Sequence, residues 1–323
     1  MTADTLLILA TDRVSADGLH PLLDDERFEV RYADSGSAEF ASALPEAAGL
    51  IVRSATLVDA GMMDRAPVLV AIGRAGVGVD NIDLAAAGQR GIGVFNAPGG
   101  NTIAAAEMTM AMILAVVRRV PEADRSLREG KWERASLKGV QLEGKTLGLL
   151  GAGRIGAEVA IRCMAFGMKA IAFDPYLPEE RATEVGIELV ALDEVIEQGD
   201  VISLHVPLND ETRGMVSSAE LARMKTSAFL VNVSRGGVID EHALATALVE
   251  GSIAGAAIDV FESEPLADDS PLRSAPNLVM TPHLGASTIE AQVSVAVEVA
   301  SALRDALTSD DMSGALNASQ LSS

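Results

Sequence analysis

Cysteine, lysine and aromatic residues are all scarce in this sequence of 323 residues. The single cysteine, Cys163, excludes internal disulfide bonds and CxxC metal sites, so we expect no metal centre and a reducing compartment. With five lysines, and 46 acidic against 25 basic residues, the chain lacks the basic stripe that binds nucleic acid. No apolar run approaches the ~20 residues of a membrane span, and the first residues lack the pattern of a signal peptide. These absences predict a cytoplasmic protein that binds neither nucleic acid nor a membrane.

Apolar residues are abundant, at 49% of the chain, while 22% of residues are charged. This composition is typical of globular domains with sizeable cores. Because aromatics make up only 3% of the chain, we expect these cores to consist of Ala, Val, Ile, Leu and Met. The length favours two domains. The net charge of −21 has two explanations, adaptation to a salty cell interior or general solubility, and both stay open.

Short apolar strands alternate with helices along the chain, which predicts an α/β fold with parallel, doubly wound sheets. In the first half the predicted strands are residues 6–10, 29–32, 49–52, 68–73 and 91–96, with helices at 37–44 and 59–66. In the second half they are residues 146–150, 170–174, 201–206, 228–233, 255–260 and 278–281, with a helix at 242–250.

Two long apolar helices, at residues 103–120 and 287–307, are predicted at the ends of these series. A helix that is apolar on nearly every face must be buried, between domains or between subunits. We therefore expect two lobes. A flavodoxin-like substrate-binding (catalytic) domain comprises residues 1–98 and 287–323, and a Rossmann-type dinucleotide-binding domain, residues 99–286, is inserted into it. The polar tail from residue 308 to 323 is expected to be loosely ordered.

Residues 146–156, TLGLLGAGRIG, form a glycine-rich loop between a predicted strand and a predicted helix. Gly151 allows a tight turn, Gly153 lets the backbone approach a pyrophosphate, and Gly156 lets the helix pack closely on the strand. The helix N-terminus favours the anion. The next strand ends in Asp174, where a carboxylate binds a ribose diol and repels a 2′-phosphate. Because the two residues that follow supply no cation, the sequence predicts NAD as the cofactor rather than NADP.

Three ionisable side chains follow successive strands of the second half: Arg235, Glu264 and His283. Ligands of open α/β sheets bind at these strand ends. Hydride transfer at a hydroxy acid needs a base for the hydroxyl proton, a partner that orients the base, and a cation for the carboxylate, and these three side chains supply them in the order His283, Glu264, Arg235. Glu264 should favour the protonated imidazole. The remaining histidines, His20, His205 and His242, are expected to be structural, but His205 ends another strand, so an alternative role for it is to line the adenosine side of the cofactor.

Four segments resemble the D-2-hydroxyacid dehydrogenase family: residues 73–84, 232–240, 259–265 and 282–288. The resemblance covers about residues 45–300. It implies that Arg235, Glu264 and His283 are catalytic, that Asp259 holds the nicotinamide carboxamide, and that the protein is a homodimer built on the helix after Asn101.

Within the family, residues 53–56, residues 129–134 and the run HLGAST resemble the D-3-phosphoglycerate dehydrogenase subgroup. Its members oxidise 3-phosphoglycerate to 3-phosphohydroxypyruvate at the first step of serine biosynthesis. The predicted cofactor-binding residues are Gly151, Gly153, Arg154, Ile155, Gly156, Asp174, His205, Pro207, Val233, Asp259 and Gly285. The predicted substrate-binding residues are Arg53, Ser54, Arg74, Gly76, Val77, Asn101 and Arg134. The three arginines suit an anionic substrate with a phosphate, which a planar guanidinium binds well.

Other hydroxy acids (hydroxypyruvate, glyoxylate or sulfolactate) stay open as substrates, because the substrate loops vary within the family. A second alternative is a non-enzymatic NAD sensor that resembles the C-terminal-binding corepressors; the intact Arg–Glu–His set argues against it. Many members of the subgroup continue into C-terminal domains that bind serine, whereas this sequence stops at Ser323. It is a short natural form or a fragment, and we expect that serine does not inhibit it.

Overall fold

The computed structural model describes residues 5–309 and 311–321, and the chain divides into two compact units. One unit contains the chain up to Asn101 together with the chain from Ala286 onward, and the other is the continuous stretch Thr102–Gly285. These borders lie close to the domain borders that the sequence predicts after residues 98 and 286. Within the described residues, no helix combines the length and the apolar character needed to cross a membrane.

Strands and helices alternate through both units. The strands are β1 (Leu6–Ala10), β2 (Phe28–Tyr32), β3 (Ala47–Val52), β4 (Ala71–Arg74), β5 (Gly93–Asn96), β6 (Thr146–Leu150), β7 (Lys169–Phe173), β8 (Ile187–Leu189), β9 (Val201–Leu204), β10 (Phe229–Asn232), β11 (Gly255–Ile258) and β12 (Leu278–Met280). The α-helices are α1 (His20–Leu23), α2 (Ala38–Ala43), α3 (Ala60–Met63), α4 (Leu84–Gln89), α5 (Thr102–Val117), α6 (Val120–Arg128), α7 (Arg154–Ala165), α8 (Glu179–Val185), α9 (Leu192–Gln198), α10 (Ser218–Arg223), α11 (Glu241–Glu250), α12 (Ile289–Ser309) and α13 (Ala318–Leu321).

The first unit is built on a parallel sheet with the strand order β2-β1-β3-β4-β5, which is the flavodoxin-like order. Its central strand β3, AAGLIV, is buried at every position, as expected for a parallel sheet covered on both faces. Helix α12 packs against one face, where Gly73 of β4 leaves room for it. A Cβ atom at Gly73 would lie 2.2 Å from Cγ1 of Val299 and 2.6 Å from Cδ1 of Leu303.

The second unit is built on a parallel sheet with the strand order β12-β11-β10-β9-β6-β7-β8. From β6, the chain adds strands first on one side (β7, β8) and then on the other (β9 to β12), so the direction of winding reverses between β6 and β9. Ligands of doubly wound sheets bind at such a switch point. Helix α5 covers one face and contributes Ala106 and Ile113 to the core, while α11 covers the other with Leu244 and Leu248. The apolar helix predicted at 103–120 therefore packs against the core of this unit, while Ile103, Glu107 and Ala111 on its other face are exposed. The predicted fold class, two doubly wound parallel sheets, is confirmed.

Two local predictions differ from the structure. The helix predicted over residues 103–120 ends at Val117, because Arg119 takes a left-handed backbone conformation (φ 55°) and the separate helix α6 begins at Val120. Strand β8 was not predicted, since it has only three residues and Glu188 interrupts its apolar pattern.

The prediction of a loosely ordered tail was wrong for residues 308–309, which belong to α12, and for residues 311–321, while residues 310, 322 and 323 lie outside the described residues. Asn317 is buried, and its side chain accepts a hydrogen bond from Val94 N (3.0 Å) and donates one to Ile92 O (2.9 Å). Leu316 N also donates to Val94 O at 2.8 Å. Strand β5 is the last strand of its sheet, so these bonds satisfy backbone groups that an open edge would leave unpaired.

Candidate active site

The glycine-rich loop connects β6 to α7 at the switch point of the second sheet. Gly151 is left-handed (φ 85°), and a Cβ atom there would lie 2.6 Å from His205 O. A Cβ atom at Gly156 would lie 2.5 Å from Gly151 O, so this glycine permits close packing of helix and loop. At Gly153, which precedes the first residue of α7, a Cβ atom would meet no atom within 4 Å. The loop thus leaves open space beside the free N–H groups of a helix N-terminus, a site that suits a pyrophosphate.

Asp174 lies beside this loop, directly after β7. One carboxylate oxygen accepts a hydrogen bond from Ala152 N (2.9 Å) and the other from Tyr176 N (3.0 Å). These two bonds fix the carboxylate next to the loop that would receive the dinucleotide. The position fits the predicted role of Asp174 as the partner of a ribose diol.

His205 follows β9 and contacts the glycine-rich loop from the neighbouring strand. Its Nε2 lies 2.9 Å from the hydroxyl oxygen of Ser203, and its Cδ2 would lie 3.6 Å from a Cβ atom at Gly156. Burial lowers the pKa of His205 to about 4, so the ring is neutral at physiological pH. Pro207 is two residues further along the same loop. The structure therefore places His205 next to the loop that would hold the cofactor, and Pro207 in the exposed segment that continues from it.

Arg235 lies in the loop after β10, which two interactions hold in place. Buried Asn232 accepts hydrogen bonds from Ser234 N (2.9 Å) and Ser234 Oγ (2.7 Å), and it donates one to Arg235 O (2.8 Å). The backbone of Gly236 approaches the loop after β11 so closely that a Cβ atom would lie 1.8 Å from Phe261 O. The role of Asn232 was not predicted from the sequence, although its place at the end of a predicted strand was a signal.

Glu264 and His283 form a hydrogen-bonded pair, with Nδ1 of His283 2.7 Å from Oε2 of Glu264. The other oxygen of Glu264 accepts a bond from Phe261 N at 3.1 Å. Burial alone would raise the pKa of Glu264, but the bonds from His283 and Phe261, with the charge of Arg235, outweigh it and lower this pKa. The carboxylate is therefore ionised at neutral pH and faces the imidazole. The side chains stay 38% and 43% exposed, so other molecules can reach the pair.

Asp259 is fully buried below this pair, and its carboxylate binds the segment that carries His283. Oδ1 accepts hydrogen bonds from Thr281 Oγ1 (2.6 Å) and Leu284 N (2.8 Å), and Oδ2 accepts one from Gly285 N (2.8 Å). His283 itself has a left-handed backbone (φ 53°), and its N–H donates to Asp259 O at 2.8 Å. Asp259 thus fixes the conformation of residues 281–285, a role that was not predicted from the sequence.

Val233 and Gly285, both predicted to bind the cofactor, are neighbours at this edge of the sheet. A Cβ atom at Gly285 would lie 3.1 Å from Cγ1 of Val233 and 3.4 Å from Oδ2 of Asp259. Among the described residues, no group of three or more histidine, cysteine, aspartate or glutamate side chains could hold a metal ion.

Most of the predicted substrate-binding residues lie in the first unit, at the carboxyl ends of its strands. Arg53 and Ser54 directly follow β3, and Arg74 ends β4. The guanidinium of Arg74 passes over Gly76, where a Cβ atom would lie 1.8 Å from Nη1. The next residue, Val77, accepts a hydrogen bond from Asn96 Nδ2 at 2.5 Å. The structure therefore brings these residues to one edge of the first sheet.

Asn101 and Arg134 are the remaining two predicted substrate-binding residues. Among the described residues, the side-chain oxygen of Asn101 is buried without a hydrogen-bond partner, which is unusual for a buried polar atom. Arg134 lies in the exposed segment after α6, where it lines a groove with Leu127 and Trp132.

A family model described as "D-isomer specific 2-hydroxyacid dehydrogenase, NAD binding domain" matches residues 110–285, more than half of the chain. The chain belongs to this family. It is 49% identical over 257 residues to the D-3-phosphoglycerate dehydrogenase of Archaeoglobus fulgidus, a match that covers 80% of this chain and 49% of that protein.

Solved structures agree with this membership in the D-isomer specific 2-hydroxyacid dehydrogenases. The TT0316 protein of Thermus thermophilus superposes with a TM-score of 0.86 at 36% identity, covering 94% of this chain and 97% of that one. The NAD-dependent formate dehydrogenase of Staphylococcus aureus, in complex with NAD, superposes with a TM-score of 0.81 at 29% identity, covering 95% and 98%.

The predicted family is thereby confirmed, and so is NAD as its cofactor. The matched residues fall within the second unit, which contains the glycine-rich loop and the pair of Glu264 and His283. The chain spans about half the length of the curated relatives it matches.

Proposed function

We propose that this protein is an NAD-dependent dehydrogenase of D-2-hydroxy acids, with 3-phosphoglycerate and 3-phosphohydroxypyruvate as its substrate pair. The observation that carries this proposal is the hydrogen-bonded pair of Glu264 and His283, in the same unit as a glycine-rich loop with room for a dinucleotide. The curated relatives named D-3-phosphoglycerate dehydrogenase support the choice of substrate. The proposal includes a role in serine biosynthesis in the cytoplasm.

The glycine-rich loop, Asp174, and the loops at His205 and Asp259 are the residues proposed to hold NAD. The open space at Gly153 and the N–H groups at the start of α7 fit a pyrophosphate. When bound, NAD⁺ would accept the hydride in oxidation, and NADH would supply it in reduction.

His283 is proposed as the base that takes the hydroxyl proton in oxidation and returns it in reduction. Because its Nδ1 faces Glu264, Nε2 is the nitrogen left for the substrate hydroxyl. Glu264 is held in its ionised form, so it orients the ring and stabilises the imidazolium that forms. An ionised carboxylate also fixes the proton of the neutral ring on Nδ1, which leaves Nε2 free to act as the base.

Arg235 is proposed to bind the α-carboxylate of the substrate through its planar guanidinium. Its charge contributes to the lowered pKa of Glu264, so the two side chains influence each other electrostatically. The backbone of Arg235 is fixed by Asn232 and by the contact at Gly236, which limits the orientations of the side chain. A fixed cation at this position can orient the substrate before reaction.

The arginines of the first unit, Arg53 and Arg74, are proposed to recognise the phosphate of the substrate, together with Arg134. In a chain of net charge −21, two arginines at one edge of a sheet can attract an anionic substrate. A phosphate carries a charge near −2 and three strong acceptor oxygens. An arginine can therefore form stronger charged hydrogen bonds with a phosphate than with a single carboxylate of the protein.

We also propose that the protein forms a homodimer through α5 and the segment that follows it. Large apolar side chains are exposed there, with Ile103, Leu127 and Trp132 at 48%, 59% and 78%. Leu127 and Trp132 line one groove, and exposed apolar side chains that cluster are typical of protein–protein interfaces. Light scattering coupled to size-exclusion chromatography should give the mass of two chains, and a mass of one chain at micromolar concentration would contradict this part of the proposal.

The proposed substrate is tested by following NADH consumption with phosphohydroxypyruvate, hydroxypyruvate, glyoxylate and sulfopyruvate. We expect kcat/KM for phosphohydroxypyruvate to exceed that for hydroxypyruvate by about tenfold or more, since one charged hydrogen bond has this effect. Comparable values for the two acids, or a preference for sulfopyruvate, would contradict the phosphate-site assignment. NAD binding without turnover of any 2-oxo acid would instead support the sensor function.

A matched pair of variants makes this test specific. Arg53→Ala should raise KM for phosphohydroxypyruvate about tenfold and change KM for hydroxypyruvate much less. Arg65→Ala is the control, because Arg65 is exposed in the same unit but precedes β4, away from the carboxyl end of the sheet. An equal effect of both variants would show that general charge, and not a site at Arg53, attracts the substrate.

A further inference from the structure

The loop after β1 contains two consecutive residues, Asp12 and Arg13, in the left-handed region (φ 56° and 53°). Residues with a Cβ atom rarely adopt this conformation, and two in succession are rarer still. Such strained positions persist where surrounding contacts require them and are enriched at functional sites. The contacts of Asp12 identify what the strained turn does.

The carboxylate of Asp12 binds residues 53–56, the segment that follows β3. Oδ2 accepts hydrogen bonds from Arg53 N (2.9 Å) and Thr56 N (3.0 Å), and Oδ1 accepts one from Thr56 Oγ1 (2.7 Å). Thr56 is buried, and its hydroxyl oxygen also lies 3.0 Å from that of Thr11. Asp12 is 41 residues away from Arg53 in sequence, so this contact is a product of the fold.

Asn81 binds the carbonyl groups of the same segment. Its Nδ2 donates to Arg53 O (2.7 Å) and to Thr56 O (2.6 Å). The backbone of Asn81 is itself fixed, because its carbonyl accepts a hydrogen bond from Val58 N at 2.8 Å. The N–H and the C=O of both end residues of the segment are therefore bonded to side chains from two other loops.

This arrangement fixes the peptide planes on both sides of the Cα atom of Arg53, and hence the direction of its Cα–Cβ bond. Arg53 and Ser54 are the residues through which this segment would meet the substrate, and Ser54 is exposed. We propose that Asp12 and Asn81 are positioning residues that hold the 53–56 segment in the conformation that binds the acidic group of the substrate. This inference rests on the proposed function, because it assigns Arg53 to the substrate.

The hydrogen bonds, and not the charge of Asp12, are what the inference requires. In Asp12→Asn, the amide oxygen can accept the bonds from Arg53 N and Thr56 N. Its NH2 group can donate to the hydroxyl of Thr56, which can in turn donate to Thr11. Asp12→Ala removes all three bonds, and Asn81→Asp places carboxylate oxygens against two carbonyl oxygens.

The experiment measures KM and kcat for phosphohydroxypyruvate and hydroxypyruvate in these three variants. We expect Asp12→Ala and Asn81→Asp to raise KM for the phosphorylated acid about tenfold or more, with a much smaller change in kcat at saturation. Asp12→Asn should stay within about threefold of the wild type. The control is Asp59→Ala, which removes a comparable bond (to Met62 N, 2.8 Å) in the same unit without touching residues 53–56.

Amide hydrogen exchange in the ligand-free protein separates this inference from the proposed function. Faster exchange at residues 53 and 56 in Asp12→Ala, with melting like that of Asp59→Ala, would show directly that Asp12 holds the segment. If wild type does not discriminate between the two acids, the proposed substrate is wrong while the exchange result still tests the role of Asp12. Unchanged exchange or unchanged KM in folded Asp12→Ala, or an equal loss in Asp12→Asn, would overturn the inference.

Discussion

Replacing Asp259 by asparagine should loosen the segment that carries His283 and slow hydride transfer. The substitution keeps the shape of the side chain but leaves a single acceptor oxygen in place of two. In the wild type, the carboxylate of Asp259 accepts hydrogen bonds from three donors: Thr281 Oγ1, Leu284 N and Gly285 N. If the amide oxygen takes the place of Oδ1, the NH2 group faces the N–H of Gly285, and two donors then oppose each other in a buried position.

The magnitude follows from these bonds. A hydrogen bond to a charged group contributes roughly 1.5–3 kcal/mol, and a buried donor left unpaired costs about 1–3 kcal/mol. The two quantities overlap, because losing the bond is what leaves the donor unpaired, so they are not simply added. We therefore expect the free energy of unfolding to fall by about 2–4 kcal/mol. For a unit of this size, 1 kcal/mol corresponds to about 2–4 °C in Tm. The melting temperature should thus fall by about 4–16 °C.

The assay is thermal unfolding of the ligand-free protein, combined with kcat and with the Kd for NADH. Thr281→Val is the matched control, since it removes only the hydroxyl donor and should lower Tm less. The family resemblance gives Asp259 another role, binding the nicotinamide carboxamide. A variant Asp259→Asn with unchanged Tm and unchanged kcat, but weaker NADH binding, would refute the structural role described here and leave only the role at the cofactor.

Three further predictions concern the catalytic base, the choice of cofactor and the pH dependence of stability. His283→Ala should lower kcat by ~10²–10⁴-fold with an unchanged Kd for NADH, because the base acts in the transition state; a variant that keeps most of its kcat would show that another group is the base. Asp174→Ala should narrow the preference for NAD over NADP, chiefly through weaker NAD binding, and equal kcat/KM values for both cofactors in the wild type would contradict this. The pKa of His205 is lowered from 6.5 to about 4, so the unfolded chain takes up its proton first and stability should fall as the pH drops from about 6.5 to about 4. The difference of about 2.5 between these two pKa values limits this loss to about 3.4 kcal/mol, and urea titrations of His205→Gln should show a weaker pH dependence over that range.

The strands were predictable from the sequence because buried parallel strands are short apolar runs, as in TLGLL of β6 and AAGLIV of β3. Strand β8 was not, since three residues with one glutamate carry too little pattern. The break between α5 and α6 had one signal in the sequence, Pro121, since proline is typical of the first turn of a helix. The left-handed backbone of Arg119 had none, because residues with a Cβ atom rarely adopt that conformation.

The pair of Glu264 and His283 could be anticipated, because each follows a strand and the two strands are neighbours in a parallel sheet. The contacts of two asparagines could not be anticipated. Asn317 bonds to a backbone group 223 residues away, and Asn81 bonds to two carbonyl groups of another loop. An asparagine side chain can donate and accept hydrogen bonds almost anywhere, so the positions of these two in the sequence gave no information about partners in distant segments.

The insertion of the second unit into the first has a consequence for biosynthesis. Strands β1 to β5 leave the ribosome first, but α12, which covers one face of their sheet with Val299 and Leu303, follows only after the continuous stretch Thr102–Gly285. At a translation rate of roughly 5–20 residues per second, the nascent sheet waits about 10–40 s for this helix. During that interval its apolar face is open to chaperones, while the inserted unit can complete its own core. Slowing translation between residues 102 and 285 should therefore lower the yield of folded protein more than slowing it after residue 309.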